Sequence, residues 1–94
     1  MSVTVNLPAV LARLADNARV IESPAPSSQR VGDVIEEIVT RYPGLAPRLR
    51  DARGEPYAFV TFYLNDDDIR FNGGFGDTVR DGDEVTIVPA IAGG

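Results

Sequence analysis

The side chains that usually make and break bonds are scarce in this sequence. It holds no cysteine and no histidine. That removes thiol nucleophiles, disulfides and iron–sulfur ligation, along with the commonest general base and metal ligand. The nine basic residues are all arginine (Arg13, Arg19, Arg30, Arg41, Arg48, Arg50, Arg53, Arg70 and Arg80), so no lysine amine is present to form a Schiff base. A serine hydrolase would have only a carboxylate for its base. What remains are carboxylates and glycines, and each cluster has a plain reading. Glu36 and Glu37 are adjacent; on a helix they point about 100° apart, which suits a solvated face and not a catalytic pair. Asp66, Asp67 and Asp68 lack the interleaved ligands and closing glutamate of a calcium loop. They read as an acidic turn whose second use is contact with a partner. Gly73-Gly74-Phe75-Gly76 has neither the GxxxxGK[ST] pattern nor the strand-to-helix setting of a phosphate loop. By elimination the chain is a poor candidate for a self-sufficient enzyme, and no metal site is expected.

Charge narrows the partners. A net charge of -5 and a pI near 4.5 argue against nucleic acid and anionic membranes, which need clustered positive charge. An acidic chain more naturally meets a basic surface on another protein. The last residues, Ala90-Ile91-Ala92-Gly93-Gly94, carry no charged side chain, and on composition alone they read as a frayed terminus.

Ninety-four residues make one small domain, with 44% hydrophobic and 24% charged residues in the usual range for a globular protein. No apolar run approaches the roughly 20 residues that cross a bilayer. The N-terminal residues lack the basic region of a secretory signal, so a cytoplasmic location is expected. Val3, Val5 and Leu7 alternate with polar residues, predicting a strand that ends at Pro8. Val10, Leu11 and Leu14 fit either a short helical turn or the long connection of a hairpin to a second strand over Arg19 to Ser23, with the hairpin preferred. Residues 23–28 form a Pro/Ser loop. Val31, Val34, Ile35, Ile38, Val39 and Tyr42 then recur at helical spacing, with Ser28 as N-cap and Pro43-Gly44 as the stop. Leu45 to Asp51 suggests a further turn with Leu45 and Leu49 tucked inward. Tyr57 to Leu64 is a strand, with Val60, Phe62 and Leu64 as its core set and Phe59 and Tyr63 on the other face. After the acidic turn, Ile69 and Phe71 begin a short return strand. Gly82 sits in a turn, and Val85 to Val88 form the last strand, closed by Pro89.

This order suits an α+β, ubiquitin-like β-grasp fold, a mixed sheet of four to five strands packed on one main helix. The run Val79-Arg80-Asp81-Gly82-Asp83-Glu84-Val85 with Thr86-Ile87-Val88-Pro89 and the ending Gly93-Gly94 resembles the closing motif of the ThiS/MoaD sulfur-carrier family. Asn65-Asp66-Asp67-Asp68-Ile69-Arg70-Phe71 is similar to the hairpin that precedes it. The resemblance covers nearly the whole chain. In Tyr63 to Gly74 and Pro89 to Gly94 it is greatest to the branch that serves cysteine synthesis. One departure is Arg30, which stands where carriers usually have a threonine N-cap.

The resemblance implies a β-grasp domain over 1–90 and a tail over 91–94. The working group would be the Gly94 carboxylate, adenylated and then converted to a thiocarboxylate, with Gly93, Ala92 and Ile91 threading into the partner. It implies no bound cofactor; ATP and a sulfur donor belong to a MoeB/MoeZ-like activating enzyme, the adenylyltransferase and sulfurtransferase. The sulfur would pass to a pyridoxal-phosphate cysteine synthase acting on O-phosphoserine, and a metal-dependent hydrolase would release the cysteine. The small subunit of molybdopterin synthase and a non-catalytic β-grasp binding module are the alternatives. Phe59, Tyr63 and Val88, with Asp66, Asp67 and Asp68 as steering charges, are the expected docking residues.

Overall fold

Alternation sets the first strand: β1 (Ser2–Asn6) buries Val3 and Val5 and turns Thr4 and Asn6 to the other side. The structure is a computed structural model that describes residues 2–24 and 29–89. The tail over 90–94 and the expected cap Ser28 lie outside those residues. Between β1 and β2 (Val20–Pro24) run α1 (Ala9–Ala12) and a 3₁₀ turn over Arg13–Ala15. β2 pairs antiparallel with β1, Ile21 opposite Val5. Hairpin and helical turn are therefore both present, because Asp16 and Asn17 take positive φ (54° and 64°) and reverse the chain. Within that turn Leu11, Ala12 and Ala15 face the core, whereas Val10 and Leu14 stay exposed.

The helical stripe becomes α2 (Val31–Arg41), which buries Val31, Val34, Ile35, Ile38 and Val39. Its N-cap is Arg30, not Ser28. The Asp33 carboxylate supplies the polar cap by accepting a hydrogen bond from the Arg30 backbone N–H at 3.0 Å. Pro43–Leu45 forms a 3₁₀ turn that leads into α3 (Ala46–Leu49), with Leu45 and Leu49 fully buried as their spacing predicts. Before α2 lies an element that the sequence does not announce. β3 (Gln29–Arg30) pairs antiparallel with Thr78–Val79, far along the chain, in a separate two-stranded ribbon.

The strand expected from Tyr57 is shorter, β4 (Val60–Leu64). Its Phe62 and Leu64 are buried and Val60 is half-buried, all on the helix side. The return strand is β5 (Asp67–Asp68), while Ile69–Phe71 is a 3₁₀ turn that buries Ile69 and leaves Phe71 exposed. Another 3₁₀ turn, Gly74–Gly76, seats Phe75 edge-on against Phe62, ring centroids 5.2 Å apart. β6 (Thr78–Val79) completes the ribbon, and β7 (Glu84–Pro89) enters the middle of the sheet. The order is β2-β1-β7-β4-β5, parallel between β1 and β7 and antiparallel elsewhere. With α2 against one face, this is a β-grasp fold with five strands in its main sheet. Among the described residues no helix is long and apolar enough to cross a membrane.

Candidate functional site

β7 determines where Pro89, the last described residue, lies. Its first half is held on both sides, Thr4 to Asn6 of β1 opposite Glu84 to Thr86, and β4 along its other edge. Its last residues pair with β4 only, Val88 with Thr61 and Pro89 with Val60. β7 therefore ends beside the start of β4. Val85 and Ile87 anchor β7 in the core, and Val88 points to the opposite face, 38% exposed.

The expected docking residues are spread along β4, β7 and the turns that flank β4. Val88 lies beside Pro89. Phe59 is near it, 58% exposed, but sits in a turn ahead of β4, where the Val60 N–H donates to the Tyr57 carbonyl. Its direction is set by that turn and by edge-on contact with the Tyr57 ring, at 5.4 Å between centroids, and not by strand alternation. Tyr63 stands farther along β4, half-buried, with Thr86 on one side and Asp68 on the other. Asp66 and Asp67 are exposed at the far end of β4, about 13 Å along the strand from its start.

Asp68 is not a free charge. Its carboxylate accepts from Arg70 Nη2 at 2.7 Å, from Arg70 Nε at 3.0 Å and from the Arg70 backbone N–H at 2.9 Å. The side-chain bond, then the backbone bond, holds the Asp68 carboxyl below the usual carboxylate range and raises Arg70 in turn. Among the described residues the acidic run thus contributes one ion pair and two carboxylates without a partner. Asn65 joins the turn to the start of β7. It takes a positive φ (57°), its N–H donates to the Glu84 carbonyl at 2.6 Å, and its Oδ1 accepts from the Glu84 N–H at 3.1 Å. Sequence reasoning placed Asn65 in a turn but missed this lock, for which asparagine before an acidic pair was the available signal.

Arginine and aspartate elsewhere do structural work. Asp51 Oδ1 accepts from the N–H groups of Arg53 and Glu55 at 2.8 and 3.0 Å, which lowers its pKa, Glu55 first. Glu36 and Glu37 meet Arg50 and Arg41 as separate ion pairs on the helix surface, not each other. Among the described residues no three His, Cys, Asp or Glu side chains are grouped to hold a metal.

The fold is shared with known proteins. The ThiS family model matches residues 5–94. The chain belongs to the ThiS family. This ThiS-family chain is 38% identical over 96 aligned residues, the whole of both chains, to the sulfur carrier protein CysO of Mycobacterium tuberculosis. The crystal structure of M. tuberculosis CysO superposes with a TM-score of 0.82 at 36% identity, covering 95% of this chain and 99% of that one. The crystal structure of the Amycolatopsis orientalis BexX/CysO complex contains a chain that superposes at 0.87 with 35% identity, covering 98% and 99%. A putative molybdopterin converting factor subunit from Pyrococcus furiosus, 24% identical with a TM-score of 0.74 over 97% and 99% of the chains, shares the fold.

Proposed function

We propose that this chain is a sulfur carrier whose Gly94 carboxylate is adenylated and then converted to a thiocarboxylate, with cysteine synthesis from O-phosphoserine as the destination. The full-length identity to CysO, a sulfur carrier by name, carries this reading, and the family match extends through Gly94. An α-carboxylate titrates near ~3.5 and is ionised at neutral pH. Its oxygen attacks the α-phosphorus of ATP and releases pyrophosphate. A sulfur donor then attacks the acyl carbon and displaces AMP. No side chain of the carrier is needed for either step, which agrees with a sequence lacking Cys, His and Lys.

The carrier is thus a co-substrate, and catalysis belongs to its partners in the cytoplasm. These are a MoeB/MoeZ-like activating enzyme, a pyridoxal-phosphate synthase that accepts the sulfur and a metal-dependent hydrolase that frees the product. The domain over 1–90 docks, and Ile91, Ala92, Gly93 and Gly94 enter the active site. Two glycines suit a narrow channel, and ordering each residue costs about 1–2 kcal/mol, offset by the partner's contacts. The molybdopterin-synthase alternative rests on a likeness of fold alone and is weaker.

Incubation with ATP, a sulfur source and the cognate activating enzyme should exchange one oxygen of the terminal carboxylate for sulfur. Intact-protein mass spectrometry reads the exchange, and fragmentation should place it on Gly94. A variant lacking Gly94 should fold normally and give no product. Normal activation of a C-terminally tagged form that keeps its tag would exclude the proposal.

A further inference from the structure

The two outer strands of the main sheet differ in what they offer a neighbour. β5 is two residues long, too short to template another strand. β2 is five residues long, and among the described residues it pairs with β1 alone. The register with β1 decides which backbone groups lie on its outer side. The Leu7 N–H donates to the Arg19 carbonyl at 2.8 Å, and in an antiparallel ladder every second residue turns toward its partner in this way. Ile21 and Ser23 therefore bond toward β1, opposite Val5 and Val3. The N–H and C=O groups of Val20 and Glu22 point out of the sheet. Pro24, at the end of the strand, has no N–H to offer.

Such an edge is a template for a second copy of the same strand. Antiparallel pairing of β2 with itself about a two-fold axis at Ile21 sets Val20 against Glu22 of the other copy, and Glu22 against that copy's Val20. Each of the two pairs exchanges two hydrogen bonds, and the Glu22 carbonyls accept half of the four. A centre at Glu22 would set two glutamates face to face, which is destabilising. A centre at Val20 would call on Ala18, whose N–H already donates to Ala15. Val20 is 60% exposed and adds apolar area to the favoured register.

The Glu22 carbonyl is already taken. Arg41, the last residue of α2, donates to it from Nη2 at 3.2 Å, and the same nitrogen pairs with the Glu37 carboxylate one helical turn back. We infer that the β2 edge is a self-pairing surface that Arg41 holds shut. The guanidinium occupies the acceptor that half of the inter-copy bonds need, so the chain does not join a second copy edge to edge. This role is independent of the sulfur-carrier reading, and its test involves no activation.

Arg41→Ala removes the guard from an exposed helix position that alanine suits. Arg41→Met, which keeps the side-chain stem, is read in parallel, and circular dichroism checks that each variant keeps the fold. Sedimentation velocity of the full chain across a concentration series, at about 0.15 M salt to screen the repulsion between acidic copies, measures self-association. The parent should sediment as a monomer. Both Arg41 variants should associate about tenfold or more tightly than the parent, as two regained hydrogen bonds imply. Amide hydrogen exchange gives the location: the Val20 and Glu22 N–H groups, open in the parent, should gain protection in Arg41→Ala as concentration rises. Val20→Pro added to Arg41→Ala deletes the donors that the freed Glu22 carbonyls would meet. Because the Val20 N–H faces outward, this change leaves the β1 ladder intact, and the double variant should return to monomer. Arg41 variants that associate no more tightly than the parent would overturn the inference. So would association that survives Val20→Pro or leaves the Val20 and Glu22 amides unprotected.

Discussion

At the scale of residues, the acidic run Asp66-Asp67-Asp68 divides by hydrogen bonding. Asp68 caps the turn that follows it and clamps the Arg70 guanidinium, whose carbon lies 5.8 Å from the centre of the exposed Phe71 ring. Those bonds favour the ionised carboxylate, so its native pKa lies below its unfolded value. A group depressed in this way stabilises the fold above its unfolded pKa, and the contribution disappears as pH falls through the native one. Asp68→Asn should therefore lower stability at neutral pH and flatten the loss of stability below about pH 4, converging with the parent in acid. Urea midpoints measured in steps from neutral to strongly acidic pH give the comparison. Parallel acid limbs for the two proteins would show that the Arg70 pair has no part in pH stability.

At the scale of elements, α2 packs its buried stripe on the sheet, and the role expected of it is structural. Ile38 is fully buried in its stripe, and Ile38→Ala should cost roughly 2–4 kcal/mol through the cavity it leaves. Activation by the partner should fall only by the unfolded fraction; a folded Ile38→Ala chain that resists activation would contradict this role. At the helix start, a Cβ on Gly32 would lie 3.1 Å from the Phe75 Cβ and 3.2 Å from its carbonyl oxygen. Gly32→Ala should push the 74–76 turn off Phe62 and cost about 1–3 kcal/mol in denaturant unfolding; an unchanged midpoint would mean that the turn yields freely. The α2 stripe was legible because helical spacing repeats through it, and β1 and β7 were legible because apolar positions alternate. Arg30 as N-cap was legible only through the family resemblance, because arginine is an unusual cap and the polar partner is the Asp33 carboxylate three residues on; the β3–β6 ribbon was not legible, because Gln29 pairs with Val79, far along the chain. Phe59 misled for a related reason. Its alternation continued the strand pattern, but the Tyr57–Val60 turn takes over before β4 begins.

At the scale of the molecule, the sheet has two unlike ends. Val88 and Phe59 are near Pro89, the last described residue, while Asp66 and Asp67 project at the opposite end beside the turn at Asp81 to Glu84, tied together through Asn65. Charges this far from Pro89 need not touch the partner's active site to act on it. Their field orients the domain during approach, and it is screened over about 8–10 Å at physiological salt. Reversing Asp66 and Asp67 together, as Asp66→Arg and Asp67→Arg, should therefore slow association with the activating enzyme several-fold at low salt. Dissociation and the rate of activation at saturation should change little. The difference in association should shrink as salt is raised. Asp68 is left intact in this variant, since reversing it would strand Arg70 and confuse steering with folding. Stopped-flow association traces at several ionic strengths measure the effect. Equal association rates for parent and variant at low salt would remove the acidic end from the encounter and leave docking to the apolar residues near Pro89.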